Sequence, residues 1–377
     1  LKDGSCDMRM IGVVAEYNPF HAGHRWHLAE TRRRAGECAI VCVMSGNFVQ
    51  RGECAITDKW TRAAAALAGG ADLVLELPTV WAASSAEYFA FGAASILRTA
   101  GAEGLSFGSE SGDAAAVVRA ASALNSPEFS AALRAHLDAG LPFALCRQRA
   151  AEDLLGSEGA DCLADANDSL GAEYLKAAAR LGWRPAVYAI PRQGAGHDGG
   201  DHPEYPSASH LRAKILAGEL PLDDPAALRY NERAVLARLR AMAPEEFSAL
   251  PDSGEGLDRR LWQAARQAVS LEELYALAKT KRYAHARIRR MVLWAALGLR
   301  ECDRPATPPY LRVLGANGRG REALRSIPAG VTVITKPTHG KGLPLLELEA
   351  RCTDFYALCR REPKPCGAEW STSPVIV

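Results

Sequence analysis

What this chain lacks narrows the classes it can belong to. No apolar run approaches the ~20 residues that cross a bilayer, and the polar stretch 1–10 lacks the charged-then-apolar pattern of a secretory signal, so the expected location is the cytoplasm and no membrane is expected as a partner. None of the ten cysteines forms a C-x-x-C pair. Cys6, Cys38, Cys42, Cys54, Cys146, Cys162, Cys302, Cys352, Cys359 and Cys366 sit mostly among apolar neighbours, which favours buried free thiols over zinc or disulfides. Net charge is nearly absent too: at +1, the chain offers no overall attraction to nucleic acid, and any such surface must come from local clustering. There are no internal repeats and no low-complexity segments. With 377 residues, 48% of them hydrophobic and 24% charged, the chain is long and apolar enough for two or three domains with a well-buried core.

What is present is a strand–helix alternation. Short apolar runs at 10–15, 38–44, 73–75, 104–107 and 186–190 read as strands, with helical patterns at 59–68, 83–99 and 169–181 between them. That rhythm predicts an α/β fold with a Rossmann-like parallel sheet, covered on both faces and binding ligands beyond the carboxyl ends of its strands. The expected domains are 9–218, with an alanine-rich helical insertion at about 114–163; a helical, basic region at 219–305; and a small α/β region at 306–377.

The first run leads into Glu16-Tyr17-Asn18-Pro19-Phe20-His21-Ala22-Gly23-His24, where Asn18-Pro19 breaks the strand and a helix follows at once. The unpaired N–H groups of that helix's first turn face the loop, Gly23 lets an anion approach the backbone, and His21 and His24 supply imidazole donors. Three readings compete. Both imidazoles stabilise charge as an α-phosphorus is attacked and pyrophosphate leaves; or His21, His24 and His27 bind a metal, for which they lack an adjacent carboxylate; or they are ordinary loop histidines. Ser207, Ser209 and Arg212 mark a second helix start able to hold outer phosphates, against a plain capped helix as the alternative. Arg192, just past a strand, stands either on phosphate or in solvent. From Tyr275 to Arg300 the chain carries Lys279, Lys281, Arg282, Arg287, Arg289, Arg290 and Arg300 without an acidic residue, alongside Tyr283 and His285. Such a stretch suits a polyanion as long as RNA, with an aromatic ring to stack on a base.

These residues resemble one family, the bacterial tRNA(Met) cytidine acetate ligases, a branch of the H-x-G-H nucleotidyltransferase superfamily. The similarity lies in residues 16–24, in Met-Ser-Gly-Asn-Phe-Val-Gln-Arg-Gly-Glu (44–53), Asp-Lys-Trp-Thr-Arg-Ala (58–63), Phe-Gly-Ser-Glu (107–110) and Lys-Arg-Tyr-Ala-His-Ala-Arg-Ile-Arg-Arg (281–290). H-x-G-H alone marks only the superfamily; the longer motifs mark the branch. The alanine-rich middle departs from the family's usual form. The resemblance implies an ATP site made by Val14, Ala15, Glu16, Tyr17, Asn18, Pro19, Phe20, His21, Ala22, Gly23, His24, Arg25, Trp26 and His27, with Gly108, Asn167 and Arg192. It implies that His21 and His24 are catalytic, that ATP is used as substrate with Mg2+, and that acetate becomes acetyl-adenylate before passing to the wobble cytidine of elongator tRNA(Met). Ser45, Asn47 and Lys59 are then expected at the acetate pocket, and Lys281, Arg282, Arg287, Arg289 and Arg290 at the RNA. No protein partner is inferable. The superfamily motif equally permits a cofactor adenylyltransferase, and motif and basic patch together permit a non-catalytic ATP- and RNA-binding protein.

Overall fold

The apolar runs at the start of the chain become the middle of one sheet. A computed structural model of the protein describes residues 8–140, 143–193 and 206–377, so the leader with Cys6 and most of the turn-rich stretch 194–206 lie outside the described residues. Strands β1 (Met10–Ala15), β2 (Ala39–Ser45), β3 (Leu73–Leu77), β4 (Gly104–Ser109) and β5 (Ala186–Pro191) lie side by side in the order β3-β2-β1-β4-β5, all parallel. The central strands read as unbroken apolar runs because both of their faces are covered. Met10, Val41 and Leu73 face one core, which contains Phe89 and Leu97 of helix Ala86–Ala100; Ile11, Ile40 and Val74 face the other, with Leu28 and Trp60. Gly12 makes the first packing possible, because a Cβ there would lie 2.5 Å from Leu97 Cδ1.

The chain lays β2 and β3 on one side of β1 and then crosses to place β4 on the other. The carboxyl ends of β1 and β4 therefore flank the crevice where such sheets bind ligands.

The segment 306–377 does not stand apart as a small α/β region. Its strand β6 (Leu311–Ala316) pairs antiparallel with β3, and β7 (Val375–Ile376) and Val333–Ile334 pair with β6, so the C-terminal strands extend the main sheet. The local sequence says nothing of a partner as distant as β3. The alanine-rich insertion forms helices Ala114–Leu124, Pro127–Asp138 and Phe143–Ala160, the last broken at Gly156, and packs over helix Ala166–Arg180. Between Glu232 and Leu297 the chain is helical, and Trp294 anchors this part by donating its indole N–H to the Ala83 carbonyl at 2.7 Å. The described cysteines are free, and all but Cys302 and Cys366 are buried. Among the described residues no helix is long and apolar enough to cross a membrane.

Candidate active site

At the end of β1 the backbone turns sharply. Tyr17 adopts a left-handed φ of 47° and the Asn18–Pro19 peptide is cis. Side chains from distant elements pin this irregular loop: Arg62 donates to the Glu16 carbonyl at 2.7 Å, Arg212 to the Asn18 carbonyl at 2.7 Å, and the Ile56 amide to Asn18 Oδ1 at 2.7 Å. The Tyr17 ring packs edge-on against Phe20 and His24, at 5.0 and 4.9 Å between centroids. Helix Ala22–Ala35 starts immediately, with His21 as its N-cap.

The caps fix the histidine tautomers. His21 Nδ1 accepts the Gly23 amide at 3.1 Å and His24 Nδ1 accepts the His21 amide at 3.3 Å, so in each neutral ring the proton resides on Nε2. The rings lie against each other with centroids 3.7 Å apart. Burial, followed by the charge of Arg192, lowers the His21 pKa to about 4; burial and then the neighbouring histidines hold His24 well below the usual imidazole value. His27 is also lowered by burial to about 4, and its Nε2 lies 2.9 Å from Ser106 Oγ. Two neutral N–H donors thus sit at a helix N-terminus, and among the described residues no acidic side chain pairs with them. An incoming polyphosphate would supply the anion.

They open into a cavity of about 870 Å³, also lined by Val14, Ala15, Glu16, Tyr17, Asn18, Gly23, Trp26 and His27 of the expected site. Gly108, Asn167 and Arg192 join them as another wall. Glu110, unremarked within the motif 107–110, ties that wall together: it accepts from the Asn167 amide at 3.1 Å, from Asn167 Nδ2 at 2.5 Å and from Arg192 at 3.3 Å. Ser207, Ser209 and Arg212 line the cavity as well. Ser207 caps helix Ala208–Ala217 by accepting the His210 amide, while Arg212 donates to Ser209 Oγ at 3.1 Å. The roof was illegible in the sequence: Leu124, Phe129, Leu133, Phe143 and Arg147 come from the alanine-rich insertion.

Other expected site residues lie elsewhere. Ala22 and Arg25 are exposed on the outer side of their helix, and Phe20 packs against Gly69. Ser45, Asn47 and Lys59 do not line the cavity and are not a pocket for acetate; all three are buried. Asn47 accepts the Lys59 amide at 3.0 Å and donates to Thr353 Oγ1 at 3.1 Å, while the Lys59 ammonium meets Glu76 at 2.6 Å and Glu369 at 2.5 Å. Burial pulls the Lys59 pKa down, but Glu369, Glu76 and Glu349 outweigh it and hold it above the ordinary value. The neighbours of motif 44–53 that do reach the cavity are Val49, Gln50, Arg51 and Glu53, from a hairpin pairing Phe48–Val49 with Glu53–Cys54.

The basic stretch is less bare than its sequence. Arg287 pairs with Glu255 at 2.7 Å, Arg290 with Asp252 at 2.8 Å and Arg289 with Glu53. Tyr283 is buried and donates its hydroxyl to the Glu255 carbonyl at 2.6 Å, which removes it as a stacking ring; His285, Lys281 and Arg282 are exposed. This stretch adjoins the cavity wall: Gly52, at φ 75°, packs so tightly on the Arg289–Arg290 backbone that a side chain there would collide with it.

Comparison with known proteins places the chain among relatives of one kind. The profile described as HIGH Nucleotidyl Transferase matches residues 8–369. The chain is 33% identical over 401 residues to the tRNA(Met) cytidine acetate ligase of Clostridium perfringens, with 98% of this chain and 100% of that protein covered. It is 34% identical to the enzyme of that name from Syntrophomonas wolfei, covering 98% and 99%. Among solved structures, Thermotoga maritima TmcAL without ligand superposes with a TM-score of 0.91, and TmcAL bound with alpha-thio ATP with 0.89; each is 30% identical and covers 98% of this chain and 100% of its own.

Proposed function

The chain belongs to the tRNA(Met) cytidine acetate ligase family of HIGH nucleotidyl transferases, and on that premise we propose that it activates acetate with ATP and acetylates N4 of the wobble cytidine of elongator tRNA(Met). An acetate oxygen attacks the α-phosphorus, forming acetyl-adenylate as pyrophosphate leaves. The exocyclic amine of cytidine then attacks the acetyl carbon, and AMP departs.

One observation carries the reading: the Nε2–H groups of His21 and His24, fixed by their caps, at a helix N-terminus inside a cavity between β1 and β4. Donors so placed offset charge that builds up on the phosphates as pyrophosphate leaves. Arg212 and Ser209 are positioned for the outer phosphates, and the wall of Gly108, Asn167 and Arg192 for the rest of the nucleotide. Magnesium would ride on the phosphates, where it ordinarily needs few protein ligands; among the described residues no three His, Cys, Asp or Glu gather to hold a metal alone. The insertion roofs the cavity, as an adenylate prone to hydrolysis requires. Exposed Lys281 and Arg282, in the basic stretch whose Arg289 pairs with Glu53 of the hairpin, suit the tRNA backbone. A coenzyme A donor would need room for a second nucleotide, and the phosphate-cradling elements 20–24 and 207–212 converge on one cavity.

The test is to incubate the protein with ATP, labelled acetate and total bacterial tRNA and digest to nucleosides. The expected product is labelled N4-acetylcytidine, with AMP and pyrophosphate formed in step. Efficient transfer from acetyl-coenzyme A without ATP would overturn the proposal, and pyrophosphate release that depends on phosphopantetheine or a mononucleotide instead of acetate would favour a cofactor adenylyltransferase.

A further inference from the structure

Among the described residues four carboxylates line the cavity, Glu16, Glu53, Glu87 and Glu173, and three of them are ion-paired. Glu53 is paired with Arg289, Glu87 with Arg180 at 2.7 Å and Lys176 at 3.3 Å, and Glu173 with Arg147 at 2.9 Å. Glu16 differs. Its Oε1 accepts the Gln50 amide at 2.8 Å, and among the described residues neither an ion-pair partner nor a second donor is held against the carboxyl. That one bond orients the group from the end of β1 toward the hairpin Phe48–Cys54, the wall that abuts the basic stretch. The histidine loop needs only the Glu16 main chain, whose carbonyl is held by Arg62.

Burial raises the Glu16 pKa, against the pull of the Gln50 amide and of Arg212, Arg51 and Arg62; burial, and then the charge of Glu16, pushes up the Tyr174 phenol that lines the same cavity. A carboxylate in such a place, just past the end of β1 and five residues before His21, sits where the second half of the reaction has an unmet requirement. The exocyclic amine of cytosine is neutral and weakly nucleophilic, and must shed a proton as its bond to carbon forms. A carboxylate is the side chain that accepts a hydrogen bond from cytosine N4, and a buried one is a better base than one in water.

Resting on the acetate-ligase reading, we propose that Glu16 receives the incoming cytidine amine: its carboxylate accepts the N4–H and takes that proton while the N–C bond forms, the acetyl carbon–oxygen bond breaks and AMP leaves. Glu16 thereby belongs to the transfer half-reaction, while His21 and His24 belong to the adenylation half-reaction.

The experiment separates the halves in Glu16→Gln, which keeps an oxygen for the Gln50 amide and removes the base. Acetate-dependent ATP–pyrophosphate exchange without tRNA reports adenylation; single-turnover acetylation of tRNA from purified acetyl-adenylate reports transfer. Transfer is expected to fall by about 10²-fold or more, and at least about tenfold further than exchange falls. Equal losses would place Glu16 on the nucleotide or its magnesium and overturn the proposal, as would undiminished transfer. Should Glu16→Gln not fold, Glu16→Asp keeps the acid, and its ratio of transfer to exchange is expected nearer to wild type than that of Glu16→Ala; equal ratios in the two would also overturn it. Absence of acetate-dependent exchange in the wild-type protein is a different failure, that of the ligase reading itself.

Discussion

Two clusters of polar side chains, one buried around Lys59 and one half-buried around His21 and His24, differ in what balances them. Around Lys59, charge is cancelled within the fold: Glu76 and Glu369 meet the ammonium, Arg312 lies 3.6 Å from Glu369, and Glu349, raised to about 8 by burial and then by Glu76, accepts from Thr79 at 2.6 and 2.8 Å. Around His21 and His24 there is open space, two neutral donors and, among the described residues, no paired anion. The first set balances its charge within the fold and ties the C-terminal segment to the sheet; on the proposed reading the second is completed by an anionic ligand. A buried charge with its partners present is structure, and donors facing a cavity are a binding site.

The comparison can be broken most severely at Lys59. Lys59→Met leaves Glu76 and Glu369 buried without their cation, which destabilises by about 3–5 kcal/mol; urea unfolding is expected to shift to much lower midpoints. Wild-type stability in that variant would mean that the cluster is not self-balanced. Next comes the histidine pair. His21→Ala and His24→Ala are each expected to lower tRNA acetylation by about 10²-fold or more, with a smaller loss of ATP affinity and near-normal melting, measured by steady-state kinetics and nucleotide titration. Turnover at the wild-type rate in both would end the phosphate assignment.

A smaller effect is expected at the RNA face. Charge reversal at Lys281 and Arg282 should weaken tRNA binding and flatten its log–log salt dependence by about one unit per lost phosphate contact, leaving acetate-dependent exchange in place. A steeper slope, or loss of exchange, would move the RNA elsewhere. The smallest is a pH effect. The His21 pKa lies near 4 in the fold and 6.5 without it, so its contribution to stability is full above pH 6.5 and is lost as pH falls toward 4, where only the unfolded chain takes up the proton. Urea midpoints for His21→Asn should therefore decline less between pH 6.5 and 5 than those of wild type. An identical decline would contradict the buried neutral imidazole.

The same distinction explains what the sequence disclosed. Met10 to His27 was legible because strand, turn, glycine and helix start are consecutive and each obeys a local rule. Lys59 was misread as an acetate ligand because its partner Glu369 lies 310 positions away, and Arg287, Arg289 and Arg290 read as uncompensated because Glu255, Glu53 and Asp252 come from other segments. Strand β6 falls within the stretch 306–377 that reads as a separate small α/β region, since pairing with β3 leaves no local trace. The cavity roof was invisible for another reason: alanine-rich helices announce their secondary structure and not the few large side chains they point inward.

In the proposed reaction the histidine-lined cavity condenses acetate with ATP before RNA is involved. ATP–pyrophosphate exchange without tRNA, with and without acetate, tests it most directly. Exchange that requires acetate in the wild-type protein and falls about 10²-fold in His24→Ala is the predicted result; exchange indifferent to acetate, or unaltered in His24→Ala, would contradict it.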